Sequence, residues 1–71
     1  MNAEDIRVLE KDVKKTKRLA SEQAMELHDL IEDRLPEAYE EILGIATATY
    51  VACKNWDDAN KKLLAAQAEL A

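Results

Sequence analysis

Seventy-one residues with a formal net charge of −5 make one small domain, and such a chain buries only about 60% of its unfolded surface. A lone cysteine closes no internal disulfide, so a domain of this size needs reinforcement from oligomerisation or a partner. The acidic balance argues against nucleic acid and anionic membranes, and no apolar run approaches the roughly 20 residues that span a bilayer.

The start, Met1-Asn2-Ala3-Glu4-Asp5, lacks a basic leader followed by an apolar core, so a cytoplasmic protein is expected. Asn2 is placed to cap a first helix, with Glu4 and Asp5 in its opening turn, where acids are favoured. From Ile6 the apolar positions follow a heptad. Ile6, Val13, Ala20 and Leu27 fall at a, and Leu9, Thr16, Gln23 and Leu30 at d. Six of these eight are apolar, which predicts a packed seam. A helix over 3–34 would run about 48 Å.

Pro36 is the only proline and sits near the middle of the chain. Its ring removes a backbone donor and pushes Leu35 out of helical dihedrals, so the first helix must stop near Arg34. The corner is expected at 35–37 and a second helix over 37–70, with Glu37, Glu40 and Glu41 near its positive end. That helix carries its own stripe: Ile42, Thr49, Trp56, Leu63 and Leu70 at a, and Ile45, Ala52, Ala59 and Ala66 at d. Folding back at Pro36 pairs positions whose numbers sum to about 72, so Gln23 meets Thr49 and Thr16 meets Trp56. The fold class is all-α, an antiparallel two-helix hairpin of coiled-coil character. Trp56 is the largest core anchor, its indole N–H seeking a hydroxyl or amide partner.

A second apolar row, Tyr39, Leu43, Ala46, Tyr50 and Cys53, lies beside this seam, and Ala24 and Ile31 flank it on helix one. Two helices cannot cover it. The expectation is a homodimer, a partly four-helix bundle joined through Ile31, Tyr39, Leu43, Ala46 and Tyr50 in the corner-proximal half. Cys53 reads as a small filler beside the seam. Gly44 inside helix two costs about 1 kcal/mol relative to alanine; it allows a close approach, a slight kink, or nothing more than a surface glycine.

His28 and Glu32 stand four apart, hence adjacent on one helix face, and Asp29 and Asp33 repeat the spacing. Imidazole plus carboxylate could bind a divalent or iron-type metal ion through His28 and Glu32. The plainer reading is a solvated polar face. No second His is present to complete a closed zinc site. Lys11, Lys14, Lys15, Lys17 and Arg18 against Asp12 give a block of net +4. It wraps the helix and holds no aromatic, so RNA binding is not expected. No nucleophile, base and oxyanion donor come together, so no enzyme is expected either.

The run from Ala24 to Tyr50, above all Leu27-His28-Asp29-Leu30 and Glu32-Asp33-Arg34-Leu35-Pro36, then Tyr39-Glu40 and Ala46-Thr47-Ala48-Thr49-Tyr50, resembles a family of small Rop-like two-helix proteins encoded in bacterial nitrogen-fixation gene clusters. The similarity covers roughly residues 20 to 64. It implies a dimerising hairpin with an accessory role near nitrogenase or its cofactor assembly, and no mechanism. The leading expectation is an interaction module whose corner, His28, Asp29, Glu32 and Asp33, meets a nitrogen-fixation protein. The alternatives are a small metal-binding or carrier protein using His28 and neighbouring carboxylates and, behind it, Rop-like RNA binding.

Overall fold

The computed structural model describes residues 2–70. They form two long helices, α1 (Ala3–Asp29) and α2 (Ile42–Leu70), folded back on each other as an antiparallel hairpin. The result is a rod 52 Å long and 14 × 13 Å across.

Asn2 starts α1 as its chemistry requires. In extended conformation, its side-chain oxygen accepts from the Asp5 N–H at 2.9 Å, and its carbonyl accepts from Ile6 at 3.2 Å. One orphan donor of the first turn is thereby satisfied.

The seam follows the heptad. Ile6, Leu9, Val13, Thr16, Ala20, Gln23 and Leu27 are half-buried, and Leu30 is wholly buried. Opposite them Ile45, Thr49, Ala52, Trp56 and Leu63 are half-buried, and Ala59 and Ala66 are buried. Half-burial is what two helices allow, because each cylinder has only one neighbour. At the ends of the stripe, Ile42 and Leu70 remain exposed.

The corner is broader than the spacing suggests. Rather than continuing as α-helix to residue 34, the chain widens into one π turn over Leu30–Arg34. Leu35 is extended, at φ −91° and ψ 149°, as the residue before proline prefers; the Leu35–Pro36 peptide is cis. A tight 3₁₀ turn, Tyr39–Glu41, then leads into α2. Helix two therefore begins at Ile42, not at residue 37. Reversing direction consumes residues 35–38, and the backbone bonds there close short rings. Ala38 N–H donates to the Arg34 carbonyl at 2.9 Å, Tyr39 to Pro36 at 3.2 Å, and Glu41 to Ala38 at 3.0 Å. Arg34 and Glu41 brace the corner from either side, at 3.2 Å.

Three smaller expectations change. Trp56 does not find a polar partner: its Nε1 is buried without an acceptor. The Thr16 hydroxyl turns to its own helix, donating to the carbonyls of Asp12 (2.8 Å) and Val13 (3.1 Å). Cys53 is exposed, not packed. Of the readings of Gly44, the surface glycine fits the monomer, since a Cβ there would meet open space.

Candidate interaction surface

The two flanks of the hairpin differ. Helical spacing puts Tyr39, Leu43, Ala46, Tyr50 and Cys53 in one row along α2. Leu43 is 80% exposed, Tyr50 69% and Tyr39 63%. Ala46 is half-buried at the base of the row. Across the seam Ile31 is 58% exposed. Farther from the corner the same flank sinks into a shallow apolar groove lined by Lys17, Ala20, Ser21, Ala24, Cys53 and Trp56. A second depression, lined by Ser21, Ala24, Met25 and His28, continues it toward the corner. This flank thus carries large exposed side chains near the corner and, beyond them, a shallow groove lined mostly by small residues.

The opposite flank is more mixed. Asp12, Lys15, Asp58 and Lys62 line one depression, and Glu22, Gln23, Val51 and Asn55 help to line the next. Lys15 and Lys17 therefore fall on opposite flanks, which divides the basic block.

At the corner His28 borders the apolar groove with both ring nitrogens near carboxylates. Nε2 lies 3.4 Å from Glu32 Oε1 and Nδ1 3.6 Å from Asp29 Oδ1. A neutral imidazole carries a single N–H, so both pairs are ionic only when the ring is protonated. His28, Asp29 and Glu32 are each more than half exposed, and exposed pairs of this kind contribute about 0–1 kcal/mol. Asp33 is exposed beside them. The structure brings His28, Asp29 and Glu32 together, yet no group of three or more His, Cys, Asp or Glu suited to a metal ion occurs among the described residues.

Sequence reasoning missed two participants. Met25, 60% exposed, lines the groove beside His28; its place one residue past Ala24 was the available signal. The Arg34–Glu41 brace could have been read from opposite charges on either side of the only proline. Two further ion pairs are local to α2: Lys61–Asp57 at 2.8 Å and Lys54–Asp58 at 3.2 Å.

Comparison with known proteins shows the chain's relatives. The chain is 42% identical over 59 residues to a UPF0437 protein of Azorhizobium caulinodans, covering 83% of this chain and 84% of that protein. No solved structure matches. A Rop-like family model matches residues 4–68. With nearly its whole length matched, the chain belongs to the Rop-like family.

Proposed function

We propose that this chain is a non-catalytic, cytoplasmic accessory protein of nitrogen fixation that acts by protein–protein contact. In this reading two copies pair through Ile31, Tyr39, Leu43, Ala46 and Tyr50. The corner, His28, Asp29, Glu32 and Asp33, then meets nitrogenase or its cofactor-assembly machinery. The observation that carries the reading is the exposed row of Tyr39, Leu43 and Tyr50 ending at a charged corner. Apolar area of this kind is stabilised when a protein surface covers it, and clustered acids become favourable when a basic surface arrives. The nitrogen-fixation context is supported by the relative from Azorhizobium caulinodans, a nitrogen-fixing bacterium. Among the described residues no helix is long and apolar enough to cross a membrane. Nucleic acid is not part of this reading, given the net charge of −5 and the divided basic block.

Affinity capture from nitrogen-fixing cells tests this directly. The parent should retain a nitrogenase or cofactor-assembly protein, and the double variant His28→Ala/Glu32→Ala should lose it while keeping full helicity. Equal capture by both would contradict the role of the corner. A stoichiometric metal that survives gentle purification and is lost in the double variant would favour a carrier using His28 and Glu32 instead.

A further inference from the structure

We propose that the flank opposite Leu43 is a docking groove for a basic amphipathic helix of a partner protein. The proposal rests on the protein-contact reading above and gives that contact a chemistry.

The groove runs along the seam between the two helices. Leu19 on α1 and Val51 on α2 line it from either side, still 39% and 47% exposed, with Ala48 and the half-buried Ala52 between them. Gly44, Ala48, Val51 and Asn55, spaced four, three and four apart, make one face of α2. At Gly44 a Cβ would meet nothing within 4 Å, so this face stays open toward the corner. A third helix laid on two others needs axes about 8–10 Å apart, and small side chains permit that approach.

Charge selects the occupant. Residues 19–53 hold eight acids against a single base, Arg34, a net charge of −7 in a chain that totals −5. Arg34 is itself engaged, 3.2 Å from Glu41. Glu22 lines the groove. Helical spacing continues its border with Glu26, seven past Leu19, and Asp29, seven past Glu22, all three exposed. Farther from the corner Lys15 and Lys62 mix with Asp12 and Asp58, so acids predominate only along the corner-proximal strip. A helix with an apolar face flanked by lysine or arginine would cover Leu19 and Val51 and meet Glu22 and Glu26. An acidic helix would be repelled from the same strip.

The probe is a synthetic peptide of about five helical turns, leucine on one face and lysine on the other, with a leucine–glutamate peptide as its counterpart. At physiological salt, where exposed charges beyond about 8 Å are screened, the lysine peptide should bind the full chain and shift the NMR amide signals of Leu19, Glu22, Ala48 and Val51. Ala48→Arg and the pair Glu22→Lys/Glu26→Lys should each weaken binding about tenfold. Glu4→Lys/Glu10→Lys, an equal change of charge outside the groove, should weaken it less than about threefold. All variants should keep the parent's helicity. Shifts centred on Tyr39, Leu43 and Tyr50, equal weakening by the control pair, or equal binding of the glutamate peptide overturns this docking site. So does a lysine peptide that fails to bind below about 1 mM. Neither Leu43 nor His28 is altered, so the dimer and the corner contact stand or fall on their own measurements.

Discussion

Thr49 Oγ1 lies 3.2 Å from the backbone carbonyl of Gln23 and 2.8 Å from that of Ile45, one hydroxyl proton serving both helices. This contact fixes the register of the hairpin at its one polar level. Since the acceptor on α1 is backbone, the two residues contribute unequally. Thr49→Ala should cost about 0.5–1.5 kcal/mol by urea denaturation. Gln23→Ala keeps the carbonyl and should cost less. Equal losses would mean that the Gln23 side chain, not the hydrogen bond, holds this level.

Trp56 combines a half-buried ring with a buried Nε1 that has no acceptor. An unpaired buried donor costs about 1–3 kcal/mol, and that cost offsets part of what the ring contributes. Trp56→Phe should therefore change stability by less than about 1 kcal/mol. Trp56→Ala should cost more, about 2–4 kcal/mol, because it also empties the space between the helices. A Trp56→Phe loss as large as that of Trp56→Ala would show that the indole N–H has a partner after all.

Gly44 meets nothing within 4 Å of where a Cβ would stand. Gly44→Ala should then stabilise α2 by up to about 1 kcal/mol, through helix propensity alone. Thermal melts check it. A destabilised variant would mean that another surface approaches the backbone at this point.

The Asp57 carboxylate accepts from Lys61 Nζ at 2.8 Å, and this hydrogen bond, then the charge attraction, holds the Lys61 ammonium above its ordinary pKa. A value raised in the folded state stabilises the fold below lysine's ordinary range and ceases to do so as pH climbs through the raised value. Asp57→Asn should return Lys61 toward its ordinary value in an NMR titration of the side chain. No movement would assign the shift to another group.

Most of the hairpin was legible from residue spacing. Ile6 through Leu30 kept the period of a single apolar stripe, and Pro36 could not continue a helix, so fold and seam followed from local chemistry. The corner was less legible. The π turn at Leu30–Arg34 and the 3₁₀ turn at Tyr39–Glu41 depend on how two helices of fixed spacing are joined, and no residue type encodes that. The pairing of His28 with Glu32 was visible as an i, i+4 spacing. The groove beside it was not, because Ala20 read as part of the seam and Cys53 as a filler beside it, and both line the groove. Thr16 and Trp56 misled for a related reason. A threonine in a helix can satisfy its hydroxyl on its own backbone, and here it does.

In the proposed dimer a second copy covers the flank carrying Leu43. Sedimentation equilibrium of the parent, Leu43→Glu and Leu64→Glu at tens of micromolar tests it most directly. Both leucines are exposed, at 80% and 55%, but Leu64 lies outside the corner-proximal row. The parent should be dimeric, Leu43→Glu markedly dissociated and Leu64→Glu little changed, all with the same helicity. A fully helical monomeric parent, or equal weakening by the two substitutions, would contradict it.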